Sequence, residues 1–513
     1  MPLGVDQGRA RLGSLDFLDN RELKTQMALD YSQIETIRTG ASMSRETNAT
    51  LPKLHLCVMN PPFVRSVGGN LLFGSLPDER GVLQKDLKKR LKHLPASATA
   101  GLGSVFVALA DKHLEVGGRL AFVLPAALAS GEAWGPTRKL LAERYHLETV
   151  VSSHDAERPN FSENTDLSEL LFIARKLDIG EKPGRTTCIS LWRNPRSIHE
   201  AMHLANAIEH VGSVVGIEEA GITGAVSGDG KLAELMTLPA SSPDDIWLGA
   251  LFAQVELLRI SWHLARGRLS IPGSTKKTPL PLCPLHALGP LGPDRKRIHE
   301  GFKVTKSDWT PFPGFWGHKS DEVVTIAQTP NCKLLEWKDS PRGPHYGSHL
   351  WQRAGRILLV ERLWPITHSV LAVGFEEKVL GNTWWAFNDS QLDALQRKAL
   401  LIWLNSTLSL LFYYGRRTVT RSAWMQMKQP AWESMPVLDV RSLTQEQITI
   451  LANAYDEVAL KSLAPLAQLD ADPARISIDE ALCTVLGLPS LAPVRALLAR
   501  EPGLTGRKIG ARI

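Results

Sequence analysis

Leu54 to Val64, LHLCVMNPPFV, constrains this chain more than any other stretch. It is an apolar run of strand length that stops abruptly at Asn60-Pro61-Pro62-Phe63. Two successive prolines lack the backbone donors that a sheet ladder needs, and they pin φ, so no strand continues through them. Asn60 is therefore predicted at the strand's end, in a rigid turn, with its amide offered beside the ring of Phe63. An isolated Asn-Pro pair is also an ordinary way to end a strand. Its meaning depends on what surrounds it.

The surrounding pattern alternates helix and strand with short connections, as α/β domains require. Ser104 to Leu114 reads as a helix with Val105, Leu109 and Leu114 apolar, and Gly117-Gly118 is the expected stop. Arg119 to Leu124 then reads as a buried strand ending at Pro125, Pro136 to Arg144 as a second helix, and Leu147 to Val151 and Leu170 to Ala174 as further strands.

Asn60-Pro61-Pro62-Phe63 after an apolar strand resembles the catalytic motif of the amino-group DNA methyltransferases that act on adenine. The chemistry explains the residue types. The lone pair of the adenine 6-amino nitrogen is delocalised into the ring, and two acceptors aimed at its hydrogens pull it toward tetrahedral geometry. The resemblance assigns those roles to the side-chain oxygen of Asn60 and the carbonyl of Pro61, within a turn that includes Pro62. A base must leave the duplex to be reached, and an extruded base is held by aromatic stacking. That role falls to Phe63 and, in the loop HDAERPNFSENTDLS from 154 to 168, to Phe161 on the opposite face. Methyl transfer from S-adenosylmethionine then needs positioning and preorganised electrostatics.

The same resemblance implies that Asp16 and Phe17, after the strand-like Arg11 to Leu15, hold the adenine of the cofactor. The expected glycine-rich cofactor loop is not found. Gly4 to Gly13 has neither a strand before it nor a helix after it, and GAVSGDGK at 224 to 231 has no apolar strand before it. The expected fold class is thus α/β, a Rossmann-like doubly wound methyltransferase domain with its first strands missing, followed by a mixed α+β target-recognition domain. In the family's sheet the missing strands lie between those carrying Asp16 and Asn60, so both would present unpaired backbone. Either an upstream-encoded chain supplies them, or this sequence is the downstream portion of a longer or split gene.

The domains read as 1–177, the partial catalytic domain; 178–299, a helical connector with a linker at Leu269 to Asp294; 300–440, the DNA target-recognition domain; and 441–513, a helical C-terminal region. The recognition domain rests on many tryptophans and on an order of elements similar to the family's recognition domains. An apolar helix, Lys398 to Tyr414, is broken by Asn405-Ser406-Thr407, and PVLDV follows further on. Between them stand Arg416, Arg417, Arg421, Trp424 and Lys428, read as DNA-binding, because arginines contact phosphates and guanine edges and aromatics stack. A second basic cluster, Lys85 to His93, follows the turn and reads as a solvated helix face or a phosphate-tracking segment.

Other chemistries fit less well. His199-Glu200-Ala201-Met202-His203 matches HExxH, but a capping role for Ser197 and Glu200 makes an ordinary amphipathic helix the simpler reading. Five cysteines without CxxC spacing argue for a reducing compartment and against structural zinc, so no metal is expected. Net charge of +6, from 59 basic and 53 acidic residues, suits double-stranded DNA as a partner. No signal peptide or run of membrane-spanning length is seen, and a cytoplasmic protein without a membrane partner is expected. A noncatalytic DNA-binding or specificity subunit and a protein glutamine methyltransferase remain alternatives, the latter because such enzymes use a similar Asn-Pro-Pro turn.

Overall fold

A computed structural model of the chain describes residues 4–6, 9–11, 53–63, 77–155, 157, 160–162, 168–211, 214–219, 223–227, 230–240, 245–305, 309–419 and 425–505. Asp16, Phe17, Arg421 and Trp424 lie outside them. The chain divides into two compact units, the first formed by residues up to Ser153 with 160–189 and 237–250, the second by 154–159, 190–236 and 251–513.

The first unit is α/β. After a short hairpin, β1 (Gly4–Asp6) and β2 (Arg9–Arg11), come β3 (Leu54–Met59), α1 (Pro77–Arg90), α2 (Leu102–His113), β4 (Leu114–Pro125), α3 (Gly135–Arg144), β5 (Tyr145–Ser153), β6 (Glu169–Lys176) and β7 (Thr186–Leu191). The first five strands of a seven-stranded sheet run in the order β3-β4-β6-β5-β7. β3 and β4 are parallel, joined through α1 and α2, and β6 is antiparallel to both β4 and β5. The chain therefore doubles back to place its last-read strand between two earlier ones. Leu170, Phe172 and Ala174, on one face of β6, are wholly buried, while Leu171 and Ile173 on the other are half-buried, and its pairing on both edges makes it a central strand. Phe172 stacks on Phe122 and meets Trp247 edge-on. Beside the sheet, Leu87, Leu91, Leu102, Val105 and Leu109 form a core that fixes α2.

Gly117-Gly118 does not stop the helix. α2 ends at His113, and the diglycine forms an irregularity inside β4, where the register jumps from Leu54↔Leu114 to Leu56↔Arg119. Gly117 has φ +79°, and a Cβ at Gly118 would lie 3.0 Å from the His55 carbonyl oxygen. The pair is needed for a left-handed bend and a close backbone approach.

β3 ends the sheet, and among the described residues no strand pairs with its outer edge. Leu56 and Val58, 58% and 70% exposed, share one face of it, whereas Cys57 on the other face is buried.

The second unit is mixed. A six-stranded sheet includes the strands Phe302–Thr305, Phe312–Phe315, Cys332–Glu336, Gly355–Val360, Ala372–Gly381 and Trp384–Phe387. The stretch from Leu269 to Asp294, expected as a linker, is instead built in. Leu269, Leu285, Leu288 and Leu291 are buried, and Leu282–Pro284 pairs with Pro436–Leu438. The HExxH stretch lies on α4 (Ile198–His210), capped by Ser197, and the Glu200 carboxylate accepts the Arg196 amide. Among the described residues no three His, Cys, Asp or Glu side chains are grouped to hold a metal. The described residues of GAVSGDGK lie on the antiparallel strands Thr223–Ser227 and Gly230–Leu238. Among the described residues no helix is long and apolar enough to cross a membrane.

The apolar helix splits into Ala394–Leu404 and Thr407–Arg416. Asn405 closes the first and Ser406 caps the second, while the buried Asn405 amide bonds Leu371 and Ala372 of the sheet unit's backbone. Nearby, the imidazoles of His318 and His368 stack with centroids 3.9 Å apart, beside Trp384. Burial holds both below the ordinary imidazole range, His318 at about 3 with the His368 imidazole adding to the effect, and His368 less far because a hydrogen bond to His318 opposes it. Below pH 6.5 the unfolded chain binds protons that these rings refuse, so stability rises with pH in that window and is lost as pH falls from 6.5 toward 3. Each refused proton contributes a slope of up to about 1.4 kcal/mol per pH unit. His318→Phe is expected to flatten the slope of denaturation midpoint against pH between 6.5 and 4.5. An unchanged slope contradicts the assignment.

Candidate functional site

The parallel strands β3 and β4 both run toward one end of the sheet, where β3 delivers Asn60 and β4 delivers Pro125. Glu169, the first residue of β6, is the register partner of Pro125, and β5 ends at Ser153 on the same side. Ligand crevices in open α/β sheets form at this carboxyl end of the strands.

Asn60 is exposed, Pro61 buried, Pro62 exposed and Phe63 half-buried. The Asn60 amide nitrogen donates to the Ser162 hydroxyl at 2.9 Å. With that donor engaged, the side-chain oxygen of Asn60 has no hydrogen-bond partner among the described residues. Ser162 follows Phe161 in the loop between β5 and β6, so the structure brings the loop of Phe161 to the turn of Asn60. The backbone amides of Phe161 and Ser162 both donate to one oxygen of Glu169, at 2.7 and 2.8 Å. Sequence reasoning missed Ser162 and Glu169. The only signal was a carboxylate opening the otherwise apolar run ELLFIA.

Cys57 lies on β3 just before the turn, and burial pushes its thiol up, so it is not poised as a nucleophile. At the opposite end of the sheet, Asp111 accepts the Tyr145 hydroxyl at 2.9 Å and pairs with Arg144 and Lys176. That cluster fixes α2 against β5 and β6.

On α1, Lys85, Lys88 and Lys89 are exposed while Leu87 is buried and Arg90 pairs with Asp86 at 2.7 Å. The basic segment is thus one solvated helix face.

In the second unit, Lys428 is exposed, and Arg416 lies 3.4 Å from the Ser434 carbonyl oxygen. Arg417, read from the sequence as a DNA contact, is buried. Its guanidinium lies 3.5 Å over the Tyr414 ring and donates to the Tyr414 and Leu251 carbonyls, at 2.5 and 2.9 Å. Those donors are spent inside the fold.

No family model matches the chain, and no curated protein does. Among solved structures it is similar to the type IIL restriction-modification enzyme MmeI in complex with DNA, at 12% identity and TM-score 0.40, covering 86% of this chain and 56% of that one. It is also similar to the type IIG restriction endonuclease BpuSI, at 11% identity and TM-score 0.32, covering 89% and 54%. A type I restriction-modification methyltransferase subunit from Streptococcus thermophilus matches at 17% identity and TM-score 0.24, covering 38% and 36%. The chain spans about half the length of the first two.

Proposed function

We propose that this chain is an S-adenosylmethionine-dependent DNA adenine-N6 methyltransferase subunit or fragment. One observation carries the reading. At the carboxyl end of parallel strands, Asn60 is exposed, its amide nitrogen is engaged by Ser162, and its oxygen is left to accept. An adenine 6-amino group placed there donates one hydrogen to the Asn60 oxygen and the other to the Pro61 carbonyl. Its lone pair then turns toward the electrophile.

The cofactor supplies an electrophilic methyl group when bound. The described residues fit it on one side, because exposed Leu56 and Val58 leave the face of β3 beside the turn open. Asp16 and Phe17 remain the proposed contacts to its adenine. An upstream-encoded chain adding a strand to the open edge of β3, with a glycine-rich loop, is part of this proposal. Double-stranded DNA is the proposed substrate. Exposed Lys428, half-buried Arg416 and the basic face of α1 are the proposed phosphate contacts, with Arg421 and Trp424 retained from the sequence pattern.

Calorimetric titration of S-adenosylmethionine into the chain, alone and with any upstream-encoded polypeptide, tests the cofactor. Heat of binding is expected at least with the partner, and none in either case contradicts the reading, leaving a noncatalytic DNA-binding protein. Phe63→Ala and Phe161→Ala are each expected to weaken binding of a methylatable DNA fragment by about 1–3 kcal/mol, the worth of stacking one base. Fluorescence anisotropy measures it. Unchanged affinity in both variants contradicts their place on the two faces of the base.

A further inference from the structure

We infer that Glu169 is a positioning residue for the amine-binding turn, acting on Asn60 through Phe161 and Ser162. The inference rests on the reading of Asn60 above. Glu169 stands where β6 begins, 3% exposed, opposite Pro125, and the preceding residue is fixed by the Ala126 amide, which donates to the Ser168 carbonyl at 2.7 Å. One carboxylate oxygen, Oε2, accepts from two successive backbone amides, Phe161 at 2.7 Å and Ser162 at 2.8 Å. The other, Oε1, is buried without a hydrogen-bond partner among the described residues.

Leaving one oxygen of a buried carboxylate unbonded is costly, so the site is held by what the other oxygen does. Hydrogen bonds from backbone amides to a carboxylate are roughly twice as strong as neutral ones. Two of them fix the backbone of Phe161 and Ser162 at the end of the sheet. Ser162 in turn receives the Asn60 amide nitrogen at 2.9 Å. The direction of each bond matters. Because the amide nitrogen of Asn60 points to Ser162, its oxygen points away, where an acceptor is required. Glu169 thus sets the orientation of the acceptor and the station of the Phe161 ring without touching the substrate. A loop that only closed a hairpin would not need its anchor buried or shared between these two residues.

The test uses the full chain, with its partner polypeptide where activity needs it, as Glu169→Ala, Glu169→Gln and Glu169→Asp. Glutamine keeps an oxygen at the same reach and tests geometry without charge. Aspartate keeps the charge but is one methylene too short. Steady-state methyl transfer to plasmid DNA is expected to show kcat about 10²-fold lower in the alanine and aspartate variants, the cost of about a 1 Å misplacement, with KM for S-adenosylmethionine unchanged. Glu169→Gln is expected to stay near wild type. Hydrogen exchange at the Phe161 and Ser162 amides, and the side-chain amide resonance of Asn60 assigned through Asn60→Ala, report position independently of activity. Both are expected to change in the alanine and aspartate variants and not in the glutamine variant.

Two results overturn the inference: an Asn60 resonance unmoved in Glu169→Ala, or full kcat in a variant whose loop amides have lost protection. If the wild-type chain transfers no methyl group under any condition, the reading of Asn60 fails instead. The exchange and resonance measurements then still decide whether Glu169 positions the turn.

Discussion

Asn60→Ala is expected to lower methyl transfer by about 10²–10³-fold, the cost of removing one preorganised polar contact to a transition state. The side chain is exposed and its described hydrogen bond is to Ser162. Its loss should therefore change stability by no more than about 0.5 kcal/mol, as for most surface substitutions. Methyl transfer and thermal midpoint, measured on the same preparation, separate the two effects. A large fall in transfer at an unchanged midpoint places Asn60 in the chemistry. Full activity in this variant removes it, and with it the role of the Asn-Pro-Pro-Phe turn.

The largest effect on stability is expected at Arg475 in the second unit. It is wholly buried on the helix Pro473–Leu486, and its two terminal nitrogens each donate at 2.7 Å, one to the Asn405 carbonyl and one to the Ser369 carbonyl. Asp472, the cap of that helix, lies 3.8 Å from its Nε. Burial holds the guanidinium below its ordinary range, opposed by Asp472 and Asp479. Arg475→Ala leaves Asp472 buried without this cation and the two carbonyls without these donors. Removing one partner of a buried ion pair costs about 3–5 kcal/mol. Urea denaturation of the variant measures the loss, and a change below about 1 kcal/mol contradicts the account. The consequence reaches further than one helix, because Asn405 also bonds Leu371 and Ala372, joining the helix break to the strand Ala372–Gly381.

Local chemistry made much of the first unit legible. The proline pair ends β3 where the sequence says it must, and apolar runs at Leu147 to Val151 and Leu170 to Ala174 are strands. What was not legible depends on distant partners. Periodicity does not reveal that β6 inserts between β4 and β5, because strand order is set by burial across the sheet. Glycine and proline made Leu269 to Asp294 look like a linker, yet its leucines are taken up by the second unit's core. Arg417 looked like a DNA contact because a charge in a basic stretch is indistinguishable from one turned inward onto Tyr414. Glu169 and Ser162 carry no motif at all. Their part is visible only when the loop of Phe161 is seen beside Asn60.

The proposed presentation of an adenine amine by Asn60 is tested by mass spectrometry of nucleosides from unmethylated plasmid DNA incubated with S-adenosylmethionine and the chain, alone and with any upstream-encoded polypeptide. N6-methyladenine is expected in at least the complete mixture, and its loss with Asn60→Ala. Absence of N6-methyladenine in every mixture, or its persistence with Asn60→Ala, contradicts that role for Asn60.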